Sequence, residues 1–155
     1  MTQKTKFQIG VIGAGSCTPD EADAAYRVGR EIARRGAVLV CGGLGGVMEA
    51  ACRGARDGGG TTVGLLPTDR KVDANLYVDI VIVTGMGHAR NAIVAASSDV
   101  LVAVGGEYGT LSEIALGLKM GKTVISLQDG WDIQGLVVVK EAEDAVDRAF
   151  TILLQ

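Results

Sequence analysis

The sequence predicts a three-layer α/β fold of six or seven mainly parallel strands, with helices on both faces. Three observations carry that reading. Short apolar runs alternate with amphipathic stretches along the chain, so each strand is followed by the crossover that a parallel partner needs. The runs are apolar throughout rather than alternating, as a sheet covered on both faces requires. The 23 glycines in 155 residues, about twice the usual 7%, cluster at the ends of the apolar runs.

The elements follow in order. Residues 7–12 read as the first strand, closed by Gly13-Ala14-Gly15-Ser16. Thr18-Pro19-Asp20-Glu21 starts a helix twice over, with proline at the first turn and a Thr18/Glu21 capping box. Ala22, Ala25, Tyr26, Gly29, Ile32 and Ala33 give it one apolar face, with Arg27, Arg30 and Arg34 opposite, and Gly36 ends it. Residues 37–40 form the second strand, before Cys41-Gly42-Gly43-Leu44-Gly45-Gly46. A helix over 46–56 follows, its small inner residues (Ala50, Ala51, Cys52, Ala55) suited to close packing. Gly58-Gly59-Gly60 breaks it. Residues 61–66 make strand three and 67–76 a polar loop. Residues 78–83 make strand four, and Gly85-Met86-Gly87 leads into a helix through about Ala96. Residues 99–104 are strand five, followed by Gly105 to Gly109 and a helix to Met120. Residues 123–127 are strand six and 136–139 a short edge strand. An amphipathic helix over 141–154 turns Ala142, Ala145, Val146, Ala149, Phe150 and Leu153 inward.

Length and composition set limits. Residues 1–155 suit one domain with one core. A net charge of −3 and a pI near 5.1 argue against a nucleic-acid partner, which calls for a concentrated basic stripe. No apolar run approaches the roughly 18 residues of a membrane span, and residues 1–6 carry no signal-peptide segment. Cys17, Cys41 and Cys52 form no CxxC pair and, with the lone His88, lack metal-site spacing. An odd, unpaired count fits a reducing cytoplasm. Cys52 reads as core.

Three glycine clusters, at 13–15, 42–46 and 105–109, follow three different strands. In a parallel sheet the strand C-termini share one edge, so these loops converge where such folds bind ligands. Helix N-termini there offer free N–H groups and partial positive charge to an anion. The pattern is Rossmann-like without the dinucleotide fingerprint. Gly13-x-Gly15 is followed by Thr18 where glycine belongs, and no acid closes strand two. A P-loop is also missing, because Gly121-Lys122-Thr123 follows a helix instead of opening one.

Gly105-Gly106-Glu107-Tyr108-Gly109-Thr110-Leu111-Ser112-Glu113, with Arg90 upstream and Gly42-Gly43 to Met48, resembles the lonely-guy (LOG) phosphoribohydrolases, long mislabelled lysine decarboxylases. Their wider Rossmann superfamily includes DprA-like proteins and molybdenum-cofactor carriers. The resemblance implies a pocket for a small phosphorylated ligand, and a homodimer or higher homo-oligomer, to which the apolar 92–96 stretch adds support. Thr110 and the amides after Gly109 match the phosphate-binding part. Gly42, Gly43, Gly45 and Gly46 match the second loop of the nucleotide pocket. Glu113 matches the catalytic acid and Arg90 the motif's arginine. Gly13, Gly15, Ser16 and Gly106 complete the expected ligand-binding set.

The chain departs from the P-G-G-x-G-T-x-x-E pattern at Gly105 and Glu107, and Asn91 replaces the lysine beside the arginine. These departures lean toward the carriers, so the leading expectation is binding of a nucleotide-derived phosphorylated ligand. A bound nucleotide or molybdenum cofactor fits it, and no cofactor is required. The alternative is an N-glycosidic hydrolase of nucleoside 5′-monophosphates. Decarboxylation finds no lysine in the strand-end loops. Thr110-x-x-Glu113 also reads as a plain capping box. A carboxylate at Glu107 would repel a phosphate ~4 Å away by a few kcal/mol, so it is expected to point outward. His88 is expected at the pocket rim. Trp131, in a polar turn over 128–132, is expected against a partner or the sheet edge.

Overall fold

The computed structural model describes residues 5–127 and 130–155. Seven strands form one parallel sheet: β1 (Gln8–Gly13), β2 (Val38–Cys41), β3 (Thr62–Leu66), β4 (Ile80–Val83), β5 (Val100–Val104), β6 (Thr123–Leu127) and β7 (Val137–Val139). Their order is β4-β3-β2-β1-β5-β6-β7, every neighbouring pair parallel. The strand 136–139 is therefore a true edge strand. Strand four begins two residues later than its apolar run suggested. Asp79 instead accepts from the Thr62 backbone N–H at 2.9 Å and ends the preceding loop.

Five helices cover the sheet: α1 (Pro19–Arg34), α2 (Val47–Asp57), α3 (Arg90–Ser97), α4 (Tyr108–Lys119) and α5 (Ala142–Leu153). Two apolar clusters show the layering. Helices α1, α2 and α5 pack around Ile9, Val11, Leu39 and Val102 on one face. Helices α3 and α4 pack through Val94, Ala95 and Ile114 against Ile12, Val40, Leu101 and Ala103 on the other. Neighbouring strand residues alternate between the clusters, so β5, Val-Leu-Val-Ala-Val, is buried at every position.

The start of α1 is as read. Thr18 Oγ1 accepts from Glu21 N–H at 3.2 Å, and a Glu21 carboxylate oxygen accepts from Thr18 N–H at 3.1 Å. The buried face differs by a rotation: Ala24 and Val28 are buried, while Ala22 and Tyr26 are half-exposed. The reason is α2. A Cβ at Gly29 would strike the Ala51 backbone carbonyl, and one at Gly54 the Tyr26 carbonyl. The two helices thus touch backbone to backbone, and that contact sets the rotation of α1. Arg27 lies on the flank and reaches α5, with Nε 3.0 Å from Glu143 Oε1. Cys41 and Cys52 are both buried, their sulfurs 3.4 Å apart. The hydrogen bond that Cys52 donates to Cys41, then burial, pushes the Cys52 thiol up. No helix among the described residues is long and apolar enough to cross a membrane.

Topology positions the site. The chain builds β1 to β4 outward in one direction, then crosses back to place β5 on the other side of β1. The loop after β1 runs to α1 on one face and the loop after β5 runs to α4 on the other. A crevice must open between them at the strand C-termini.

Candidate functional site

That crevice holds a cavity of about 240 Å³ lined by the β1 end from Val11 to Ser16, with Gly42, Met48, His88, Arg90, Asn91, Glu107, Gly109, Thr110 and Glu113. A neighbouring hollow of about 380 Å³ shares Ala14, Ser16 and Glu107 with it. Of the expected residues, Gly13, Gly15, Ser16, Gly42, Arg90, Gly109, Thr110 and Glu113 meet around the cavity. Gly106 lines the neighbouring hollow, and Gly46 a third hollow beside Tyr77. Gly43 and Gly45 border none of these hollows. They shape the loop instead. Gly46, with φ 61°, packs against the Ala14 carbonyl, which accepts from Val47 N–H at 3.1 Å and locks the first two glycine loops together.

Met48, Asn91 and Ala14 were missed as site residues by the sequence reading. Met48 lies in the first turn of α2, two residues after Gly46, and Asn91 adjoins Arg90, so both carried a positional signal. His88, exposed on a short 3-10 turn (Gly87–Ala89), stands at the rim. Glu107 is exposed at the mouth. Trp131 is half-buried against the α3/α4 core, its indole N–H donating to the Gly105 carbonyl at 3.4 Å. Its expected turn includes 128 and 129, which lie outside the described residues.

The capping-box alternative for Thr110 and Glu113 fails. Helix α4 begins three residues earlier than such a box requires, with Glu107 as its N-cap and no side-chain cap. Thr110 is already inside the first turn, 3% exposed, its side chain packed over Gly106. Leu111 N–H is paired to Glu107 O, so the earlier amides of Tyr108, Gly109 and Thr110 head the helix as unpaired donors. Ser112 Oγ donates to Gly109 O at 2.6 Å and accepts from Asn91 Nδ2 at 3.1 Å, tying α3 to this turn.

Arg90 and Glu113 face each other across the cavity floor. Arg90 Nη1 lies 3.9 Å from Glu113 Oε1, and both side chains are less than a tenth exposed. Arg90 Nε is buried without a hydrogen-bond partner. The guanidinium lies where a Cβ at Gly42 would stand, so only glycine leaves it room. Burial pushes the Glu113 carboxyl up to about 7, against the pull of Arg90, and burial likewise lowers the Arg90 guanidinium. Arg90 can donate to an acceptor, and Glu113 can exchange a proton near neutral pH.

Comparison with known proteins agrees with this architecture. An uncharacterized protein of Archaeoglobus fulgidus is 55% identical over 142 residues, covering 91% of this chain and 93% of that one. The solved molybdenum cofactor binding protein of Rippkaea orientalis superposes with a TM-score of 0.94 at 40% identity, covering 97% of this chain and 99% of that one. The rice cytokinin riboside 5′-monophosphate phosphoribohydrolase LOG is 33% identical over 119 residues, 72% of this chain and 49% of the enzyme, so the chain spans about half of that relative. The family model of the SLOG cluster4 family matches residues 6–152, and the chain belongs to that family.

Proposed function

We propose that the chain binds a phosphorylated, nucleotide-derived ligand in the crevice between β1 and β5, and that it carries a pterin-nucleotide cofactor rather than cleaving its ligand. The observation that carries this is Arg90. A buried guanidinium with an unpartnered Nε, beside three free helix amides, has the donors an anion needs. The phosphate takes the Gly109–Thr110 amides, and Arg90 contributes charge from the floor. The cavity and its neighbouring hollow bring the space into the range of small-ligand and cofactor sites, roughly 300–1,000 Å³. The likeness to the Rippkaea protein supports a molybdenum cofactor as cargo. The departures at Gly105, Glu107 and Asn91 favour carriage over hydrolysis. The net charge of −3 keeps nucleic acid outside this reading.

One observation favours the second reading, a phosphoribohydrolase. A carboxyl near 7 is half protonated at neutral pH, which suits a group that delivers a proton to a departing base. Two measurements separate the readings: mass spectrometry of whatever co-purifies, and release of free base from AMP. A retained pterin nucleotide with no adenine released supports the carrier. Adenine released at about 1 per second or faster, the ordinary range of enzymes, replaces it with the hydrolase. Loss of that release in Glu113→Gln, by ~100-fold or more, would assign the proton to Glu113.

A further inference from the structure

Resting on the phosphate-binding reading above, we infer that Glu21 selects the heterocycle at the other end of the ligand. It accepts the paired N–H groups of a 2-amino-4-oxopyrimidine edge, the edge that guanine and pterins share. The cavity beside Arg90 does not stand alone. It shares Ala14, Ser16 and Glu107 with the 380 Å³ hollow, and that hollow shares Glu21 and Gly106 with a further one of about 250 Å³ that ends at Trp131.

Charge divides this trough. Its basic side chains among the described residues, Arg90 and His88, both stand in the cavity at one end. No lysine, arginine or histidine among the described residues lines the two hollows beyond, and Glu21 borders both. A carboxylate repels a phosphate and accepts N–H groups, so the anion belongs at the Arg90 end and a donor-rich group at the Glu21 end.

The surroundings of Glu21 suit that part. Its Oε2 accepts from Thr18 N–H in the capping box, which fixes the side chain, while Oε1 takes no hydrogen bond from the described residues. A Cβ at Gly105 would strike Oε1, and Gly105 has a φ of 56°. The proline of the LOG pattern cannot take that angle. The departure at Gly105 therefore leaves room for an acceptor at the trough wall. The free Oε1 and the spare lone pair of Oε2 present two acceptors side by side, which match a ring N–H next to an exocyclic amino group. Adenine sets a ring acceptor beside its amino group, and hypoxanthine has no amino group, so each loses one of the two bonds. Trp131, whose indole N–H donates to the Gly105 carbonyl, gives a flat fused ring an apolar wall.

Titration of the full chain with GMP, IMP and AMP, in the wild type and in Glu21→Gln, tests the assignment. Glutamine still serves a capping box, and circular dichroism checks that the variant folds. The wild type should bind GMP about tenfold or more tighter than AMP, as one added charge-assisted hydrogen bond gives, with IMP between. Glu21→Gln should remove most of that preference. A lost cap or a general change of charge would move all three nucleotides alike. Equal binding of GMP and AMP by the wild type, or a preference unchanged in Glu21→Gln, overturns the inference and leaves the phosphate-binding reading standing. Binding of none of the three overturns both. A pterin monophosphate carries the same edge: affinity above that of GMP assigns the trough to pterins, and affinity below it to guanine nucleotides.

Discussion

Arg90 Nη1 and Glu113 Oε1 stand 3.9 Å apart, too far for a hydrogen bond, with both side chains more than nine-tenths buried. Desolvating two charges costs several kcal/mol, and attraction offsets that only when geometry is good and the remaining donors are satisfied. Here it is not good, and Arg90 Nε has no partner at all. A pair left in that condition serves a ligand better than it serves stability. The predictions below follow from its surroundings.

Stability should fall as pH rises through the titration of Glu113. Its folded-state carboxyl sits at about 7, above the 4.5 of the free group, because burial disfavours the charge. Between those values the folded state holds a proton that the unfolded state has released. Raising the pH therefore favours unfolding, and the loss approaches about 3 kcal/mol above pH 8. Chemical denaturation across about pH 5 to 8 should show this slope in the wild type and a shallower one in Glu113→Gln. Parallel curves for the two proteins would count against it.

Thr110→Val should weaken binding of nucleoside monophosphates and leave the fold intact. Valine fills the volume beside Gly106 but offers no hydroxyl, and the helix amides remain. A hydrogen bond to a charged group contributes about 1.5–3 kcal/mol, so affinity should drop roughly tenfold or more. Calorimetric titration with AMP reads this directly. Unchanged affinity would place the anion away from the first turn of α4.

Gly42→Ala should damage the site more than the fold. The new methyl would occupy the place of the Arg90 guanidinium, with Met48 Sδ only 2.8 Å away, so Arg90 must leave its position over the β2 end. Overpacking costs about 1–3 kcal/mol of stability. Ligand affinity should fall by a further tenfold or more, as for any lost charge-assisted contact. A variant that binds AMP as tightly as the wild type would show that Arg90 does not contact the ligand.

Much of the fold was legible because parallel α/β chains advertise their parts locally. The Thr18–Glu21 box, the apolar strand β5 and the glycine stops after α1 and α2 each carry their meaning within a few residues. The start of α4 was legible to within a residue or two, but the part played by Thr110 was not. Glu107 and Tyr108 carry no capping signal, whereas Thr110 and Glu113 spell a capping box that the structure does not form. Because the first turn is already under way at Tyr108, Thr110 and Glu113 stand inside the helix and line the cavity. The rotation of α1 was hidden for a similar reason, since Ala22 and Ala24 are equally apolar and only contact with Ala51 distinguishes them.

The sequence by itself determined the fold class, the parallel pairing and the edge of the sheet where glycine loops would gather. Those follow from periodicity, turn chemistry and the geometry of crossover connections, all of which are short-range. Only the tertiary structure decided which glycines face the cavity and which merely shape a loop. It also decided that Arg90, Gly42 and Glu113, from three separate elements, meet at one buried point. Burial is a property of the assembled layers and not of any segment. The raised carboxyl of Glu113 and the unpartnered Nε of Arg90 came into existence only when the layers closed.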